Sequence, residues 1–329
     1  IMQALHAKSA ARGDLIQVIT GIPHYYHQYG YAWAIDYNGF ARVDRAFIEA
    51  KPAPAELVTL RLLRADEYQL FAAAYQADPA YQACLVKTPY SEAVFRHAHE
   101  TSVSTEGFCA YGICTADGAL IGTMLIEKRI WDGAAVVHVW NYRDAATAVQ
   151  YGIATLHAVV ALGVTLPKPV ASHKAFCAVD ISTDGGHPCR QLLQHLGIGA
   201  TALTPYTWYV RVPDVPRFLL HIAPLLEQRL SASVAAGYTG VLDITTYRGG
   251  VVLEWEQGRL AGVRPRVAAA YGDSPSAGFH PDALVQLLFG WRSLHELQDW
   301  YPDVWTSDQS ALLLNILFPA APSRLLWLN

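Results

Sequence analysis

The fold of this chain is indicated most clearly by the stretch Leu15-Ile16-Gln17-Val18-Ile19-Thr20-Gly21-Ile22-Pro23-His24-Tyr25-Tyr26-His27-Gln28-Tyr29-Gly30-Tyr31. Its first six residues are mostly apolar or β-branched, which predicts a strand over 15–20 in the centre of a sheet. Pro23 suits the first turn of a short helix, and Gly30 can end that helix in a left-handed conformation. Residues 31–37 predict a further strand.

The order of aromatic residues in this stretch resembles the late motif of GNAT-type N-acetyltransferases, aromatic-Tyr-x-x-apolar-Gly-aromatic, which follows a strand. The resemblance implies that acetyl-CoA lies beside the strand, that the backbone of Gly21 and Ile22 contacts it, and that Tyr26 is the general acid. A phenol with a pKa of about 10 is protonated at neutral pH and able to donate. The residue types alone leave an alternative, in which the tyrosines pack at a helix–strand junction.

Composition narrows the class of protein. The 329 residues suffice for two or three domains, and 52% hydrophobic with 16% charged residues is typical of a globular chain. A net charge of -4 without a basic run argues against a nucleic-acid partner. Five cysteines without a Cys-x-x-Cys pair favour a reducing compartment, and hence a cytoplasmic protein. No apolar stretch of about 18 residues is evident, so we expect no membrane span.

The proline-containing run at 51–55 predicts an extended linker and a first domain over 1–50. The next block, 55–212, predicts a strand, helices, a three-strand meander, a helix near 145–162, a strand at 176–181, a helix and a last strand. Residues 176–181 parallel the strand at 15–20, and 192–198 parallel 25–31, which indicates an internal repeat. Leu193 stands where the first copy has Tyr26, and 143–148 contain no glycine for phosphate binding. We therefore expect the second copy to be catalytically empty.

The last block, 213–329, predicts a helix over 214–231 that Pro224 can kink, three strands at 240–247, 250–256 and 259–263, and helices at 281–300 and 309–317. This order resembles a sterol-carrier-protein-like domain. The order of the three domains, a catalytic GNAT domain, a degenerate GNAT domain and a sterol-carrier-like domain, resembles that of the enhanced-intracellular-survival group of acetyltransferases. The fold class expected is thus α/β (α+β), with two GNAT-like domains followed by an α+β unit.

The resemblance also implies an incomplete catalytic domain. Helix 1–12 matches the family helix whose N-terminus receives the cofactor pyrophosphate, and a Gln/Arg-x-x-Gly-x-Gly/Ala loop precedes that helix in the family. The chain begins at Ile1, so we expect an N-terminally truncated domain in which strand 15–20 exposes an unpaired edge. As it stands, the chain should be inactive and bind acetyl-CoA weakly or not at all.

In the enhanced-intracellular-survival group the C-terminal carboxylate acts as the general base, which implies this role for Asn329. The apolar residues 325–328 would carry it inward, because chain ends are disordered unless tied down. The alternative is that this tail only packs on the third domain.

Two functions from different classes remain open. The first is N-acetyl transfer from acetyl-CoA to a small-molecule or peptide amine, without a metal. The second is a non-catalytic module that binds a protein partner or an apolar ligand. Self-association into a homo-oligomer is left open, and the acceptor amine is not identified.

Overall fold

The structure, a computed structural model, describes residues 1–37, 39–52, 57–88, 91–93, 95–96, 107–168, 174–183, 188–267 and 274–325. Short 3₁₀ helices span Tyr25–Tyr29 and Ala65–Glu67. The α-helices are α1 (Met2–Arg12), α2 (Arg45–Glu49), α3 (Tyr68–Ala77), α4 (Pro79–Ala83), α5 (Ala145–Thr165), α6 (Cys189–His195), α7 (Val215–His221), α8 (Ala223–Ser231), α9 (Pro281–Leu288), α10 (Leu294–Trp300) and α11 (Asp308–Leu317).

Three sheets contain the strands. The strands are β1 (Gln17–Ile19), β2 (Ala32–Tyr37), β3 (Phe40–Asp44), β4 (Val58–Leu62), β5 (Phe108–Thr115), β6 (Leu120–Glu127), β7 (Ala134–Tyr142), β8 (Ala178–Ser182), β9 (Thr201–Leu203), β10 (Tyr206–Arg211), β11 (Gly240–Thr245), β12 (Gly250–Glu256), β13 (Arg259–Pro265), β14 (Ala277–Gly278) and β15 (Trp305–Thr306). Their orders are β1-β10-β2, β4-β5-β6-β7-β8-β3-β9 and β13-β12-β11-β14-β15. The mixed α/β class expected from the sequence is confirmed.

The chain forms two compact units. The first contains Ile1–Asp36 and Thr207–Ser323, and the second contains Tyr37–Tyr206 with the residues from Arg324 onward. These divisions fall at 36 and 206, whereas the predicted boundaries lie near 50 and 212. The predicted division into 1–50, 55–212 and 213–329 stays a proposal about the repeat in the sequence.

The internal repeat has a counterpart in the order of elements. β1, the 3₁₀ helix at Tyr25–Tyr29, β2 and β3 follow one another in the first copy, and β8, α6, β9 and β10 in the second. Gly30, with φ 79°, and Gly197, with φ 64°, follow the two short helices in left-handed conformations, which a residue without Cβ adopts at little cost. Leu193, the counterpart of Tyr26, is buried in the core.

Each repeat contributes one strand to the sheet of the other. β3 belongs to the first copy along the chain but lies between β8 and β9 of the second, whereas β10 belongs to the second copy but lies between β1 and β2 of the first. β3 is antiparallel to both neighbours, and β10 is antiparallel to β1. This exchange explains why the compact units do not follow the sequence repeats.

β1 is shorter than the predicted strand and lies at the edge of its three-stranded sheet. The expectation that it is central was wrong, because its residues are only half-buried. Among the described residues, the edge of β1 away from β10 pairs with no strand.

In the seven-stranded sheet, β4 to β7 are antiparallel in sequence order and β7 is parallel to β8. The pairing of β7 with β8 runs only from Ala134↔Ala178 to Val137↔Ile181. β7 continues beyond this pairing to Tyr142, close to the start of α5 at Ala145.

α5 is longer than predicted, because Gly163 lies inside the helix instead of ending it. A Cβ at Gly163 would lie 2.4 Å from Cζ of Phe176, so this glycine permits close contact of the helix with an aromatic ring. By length and composition α5 could cross a membrane, contrary to the expectation of no such segment. It also serves as a core helix, with Leu156 and Val159 buried in the main apolar cluster.

The C-terminal part of the first unit has the predicted order of helices, three-strand meander and helices. The helix expected over 214–231 is broken at Ile222 into α7 and α8, with Pro224 in the first turn of α8, where its missing N–H is tolerated. Leu253 and Trp255 of β12, Leu287 of α9 and Leu314 of α11 are buried. Its assignment to the sterol-carrier-like class stays a prediction.

Candidate active site

The turn after β1 brings two of the predicted site residues together. Gly21 has φ 137°, and a Cβ at this position would lie 3.3 Å from Oη of Tyr26. The 3₁₀ helix that follows begins after His24, a non-glycine residue with φ 59°, and ends at Gly30. The absence of a side chain at Gly21 therefore leaves room for the Tyr26 hydroxyl beside the backbone.

Tyr26 is half-buried among other aromatic rings. Its ring centroid lies 5.2 Å from that of Tyr25, 5.4 Å from that of Tyr209 and 6.1 Å from that of Tyr31, each in an edge-to-face arrangement. Such pairs contribute about 0.5–1.5 kcal/mol beyond the burial of their area. The aromatic packing that the sequence left as an alternative is thus present together with the hydroxyl placement.

Behind Tyr31 lies a polar cluster that includes a cation. Tyr31 donates to Oε1 of Gln17 at 3.3 Å, and Nη1 of Arg211 donates to the same oxygen at 2.8 Å. Nε2 of His6 lies 3.2 Å from the Tyr31 hydroxyl. Burial raises the pKa of Tyr31, although the positive charge of Arg211 opposes this shift. The pKa of His6 is lowered, mainly by burial and to a smaller extent by the charge of Arg211.

A second group of contacts supports the turn that carries Tyr26. The backbone N–H of His24 donates to the hydroxyl of the buried Tyr209 at 2.7 Å. The His27 ring packs edge-to-face on Trp33 and Tyr209, and its Nδ1 lies 3.3 Å from Oδ2 of Asp282. β10 and α9 thus support a turn that belongs to the start of the chain.

Sequence reasoning missed Tyr209, Arg211 and Asp282. The strand that carries Tyr209 and Arg211 was predicted, but nothing in its residues indicated pairing with β1. Asp282 follows Pro281 at a recognisable helix start, yet that local signal does not say which ring the carboxylate approaches.

The predicted cofactor contacts are accessible. Ile22 is 59% exposed, its carbonyl accepts the N–H of Tyr25 at 3.3 Å, and the neighbouring Gly21 is exposed as well. The first turn of α1 contains no acidic side chain, which suits an anion at a helix N-terminus. These residues fit acetyl-CoA, with the glycine providing space for close approach and the helix end favouring negative charge.

Asn329, the predicted base, lies outside the described residues. No three His, Cys, Asp or Glu side chains converge as a metal site in the part of the chain that the structure describes. All five cysteines are described, and all are free thiols.

Several solved structures share the fold of nearly the whole chain. A GCN5-related N-acetyltransferase from Anabaena variabilis matches with a TM-score of 0.60 and 14% identity, covering 98% of this chain and 75% of that one. A protein of unknown function from Enterococcus faecalis, described as a probable N-acyltransferase, matches with a TM-score of 0.62 and 14% identity, covering 99% of this chain and 76% of that one. A GCN5-related N-acetyltransferase from Kribbella flavida matches with a TM-score of 0.57 and 17% identity, covering 98% of this chain and 72% of that one.

The chain has the fold of GCN5-related N-acetyltransferases. Neither a protein-family model nor a curated protein sequence matches it. The likeness therefore concerns the path of the backbone, and the chemistry has to be argued from the residues around Tyr26.

Proposed function

We propose that the protein is an N-acetyltransferase of the enhanced-intracellular-survival group, which transfers acetyl from acetyl-CoA to a small-molecule or peptide amine. The observation that carries the proposal is the placement of the Tyr26 hydroxyl against Gly21, on a short helix closed by Gly30, in a chain with the GNAT fold. The five free thiols favour a cytoplasmic location.

Acetyl-CoA supplies a thioester, whose carbon accepts the amine nitrogen as its bond to sulfur breaks. The first turn of α1 would hold the pyrophosphate, and the backbone at Gly21 and Ile22 would line the arm that carries the acetyl group. Tyr26 would donate the proton of Oη to the departing sulfur, because a phenol is protonated at neutral pH. The α-carboxylate of Asn329 is proposed to accept the amine proton, directly or through a water molecule.

The surroundings of Tyr26 suit a fixed acid. Three aromatic rings surround its own, which limits the rotamers available to it and holds the hydroxyl in place. A positioned general acid contributes about 10²–10⁴-fold to a rate.

The test is acetyl transfer to a panel of primary amines by a complete version of the protein, measured by release of the CoA thiol, because residues 1–329 alone are expected to be inactive. Tyr26→Phe should lower kcat by about 10²-fold or more with little change in KM, because only a proton donor is lost. Tyr25→Phe, the adjacent ring with an exposed edge, is the matched control and should remain active. Unchanged turnover in Tyr26→Phe, or no transfer to any amine, would contradict the proposal.

The same assay tests the proposed base. One extra residue after Asn329 moves the terminal carboxylate away from its position, so kcat should fall while the protein stays folded. An extended chain with the turnover of the original would remove Asn329 from the mechanism.

The second candidate function is ligand binding without chemistry. It is favoured by a mainly apolar cavity of about 800 Å³ within the second unit, whose lining includes Leu70, Ala74 and Leu192.

A further inference from the structure

The C-terminal segment enters the second unit with a buried arginine. Residues up to Ser323 belong to the first unit, and those from Arg324 onward belong to the second. Arg324 is 1% exposed, whereas arginine is almost never fully buried unless it is paired. It stands five positions before Asn329, the residue whose carboxylate is the proposed base.

Three groups of the second unit hold the guanidinium of Arg324. Its Nη1 lies 3.3 Å from Oδ2 of Asp78, and its Nη2 donates to the backbone carbonyl of His138. The cation also lies over the ring of Tyr75, 5.7 Å from the centroid. Asp78 is itself fixed, because its Oδ1 accepts the backbone N–H of Ala80 at 2.9 Å. A carboxylate, a carbonyl and an aromatic face thus set the direction of this side chain.

The backbone of Arg324 is fixed as well. It forms a parallel bridge with Lys87. Its N–H donates to the carbonyl of Val86 at 2.8 Å, and its carbonyl accepts the N–H of Thr88 at 3.1 Å. Side chain and backbone together determine both the place and the direction from which the residues after Arg324 continue.

The sequence after Arg324 explains why such an anchor is useful. Residues 325–328 are Leu-Leu-Trp-Leu, and contacts of apolar side chains are not directional. A shift of one position along the chain would place one leucine where another had been, at little cost. A buried ion pair stabilises a fold poorly, since removing both charges from water is costly, but it can specify register.

We propose that Arg324 is the positioning residue of the C-terminal carboxylate, because it fixes the register of the last five residues. This inference rests on the proposed function, in which the carboxylate of Asn329 accepts the amine proton. Five residues span at most about 16–18 Å, and a shift by one residue moves the chain by about 3.3–3.6 Å. Displacement of a catalytic group by about 1 Å can lower a rate about 10²-fold, so register matters for a terminal base.

The test compares three additions of one glycine in a complete version of the protein, because residues 1–329 alone are expected to be inactive. The first glycine is inserted between residues 321 and 322, before the anchor, where Pro322 is exposed. The second is inserted between residues 325 and 326, and the third follows Asn329. The second and third should lower kcat about tenfold or more, because both lengthen the chain from Arg324 to the carboxylate. The first should leave kcat nearly unchanged, because the chain after Arg324 is unaltered.

The pattern of the three variants separates the anchor from the base. If all three lose kcat equally, the role of Arg324 is overturned, since the position of the carboxylate then depends on the chain before the anchor as well. If all three retain the original kcat, Asn329 is not the base, and the role of Arg324 fails with it.

Substitutions provide a second line of evidence. Arg324→Leu and Asp78→Asn should each lower kcat about tenfold or more with little change in KM for acetyl-CoA; asparagine can still cap α4 but carries no charge for Arg324. Arg266→Leu is the matched control, because Arg266 is also a buried arginine, paired with Asp243 at 2.7 Å in the first unit. It should lose stability in urea and keep its kcat. Equal loss of kcat in Arg266→Leu would show that destabilisation alone explains the effect.

A readout without catalysis tests the anchor in the 329-residue chain itself. Carboxypeptidase digestion followed by mass spectrometry should stop before Arg324 in the original chain and in Arg266→Leu, and pass residue 324 in Arg324→Leu. Digestion to the same residue in all three proteins would overturn the role of Arg324, whatever the outcome for the proposed acetyl transfer.

Discussion

The position of Tyr26 depends on the glycine that follows β1. Gly21 combines φ 137° with a space that a Cβ would share with the Tyr26 hydroxyl. Few other residue types adopt such a φ, and the space beside it is the one that the proposed acid occupies. One residue therefore controls both the course of the turn and the location of the hydroxyl.

Gly21→Ala should therefore affect two properties together. The left-handed backbone should destabilise the fold by about 1–3 kcal/mol, and the new methyl group should displace the Tyr26 hydroxyl and lower kcat. Urea unfolding and the acetyl-transfer assay measure the two effects. Gly199→Ala is the control, because Gly199 has no positive φ and a Cβ there would lie 3.9 Å from Phe47. Unaltered stability and turnover in Gly21→Ala would contradict the interpretation.

Among the elements, α5 shows how tertiary contact overrides helix propensity. Alanine inside a helix is favoured over glycine by about 1 kcal/mol, but two buried glycines of α5 face different neighbours. Gly163 meets the ring of Phe176, whereas Gly152 meets the flexible end of Leu196, with 2.7 Å from a built Cβ to Cδ1. A rigid ring cannot yield as a leucine methyl does.

Gly163→Ala should thus destabilise the protein by about 1–3 kcal/mol through overpacking, while Gly152→Ala should be close to neutral because its propensity gain offsets a small shift of Leu196. Urea unfolding of the two variants measures the difference. Equal effects, or a more stable Gly163→Ala, would show that Phe176 moves as easily as Leu196.

Elements whose signals are local could be predicted from the sequence. Gly30 ended the first short helix as expected, because the left-handed conformation is a property of the glycine itself, and Pro224 broke the helix at 214–231 for the same kind of reason. Gly163 was predicted to end its helix but lies inside it. The glycine makes room for the ring of Phe176, which lies beyond the end of the helix, so no local pattern indicated its role. In the candidate site, Gly21 and Tyr26 were predicted by motif, but Tyr209 and Asp282 were not, because strand pairing and helix packing between distant segments leave no local pattern.

For the whole molecule, the exchange of β3 and β10 decides which segments can fold alone. A fragment of residues 55–212, the predicted second domain, lacks the strand that lies between β8 and β9 and would expose two unpaired edges. A fragment of residues 37–206 contains all seven strands of that sheet. Both fragments lack Arg324, the ion-pair partner of Asp78. Loss of this ion pair therefore affects the two fragments alike.

We therefore expect the 37–206 fragment to be soluble and to unfold cooperatively, and the 55–212 fragment to aggregate or remain unfolded. Circular dichroism and size-exclusion chromatography distinguish the two states. If 55–212 folds as well as 37–206, the exchanged strand is dispensable and the units defined by contacts are not the folding units.

The contact between His24 and Tyr209 has a consequence for the timing of biosynthesis. The two residues are 185 positions apart, so at about 5–20 residues per second a ribosome needs on the order of 10–40 s between them. Throughout that interval the nascent turn around Tyr26 lacks the ring and hydroxyl that support it, and β1 lacks its neighbouring strand. The proposed acid is thus assembled only after most of the chain has emerged, which gives chaperones that bind exposed aromatic segments a defined period in which to act.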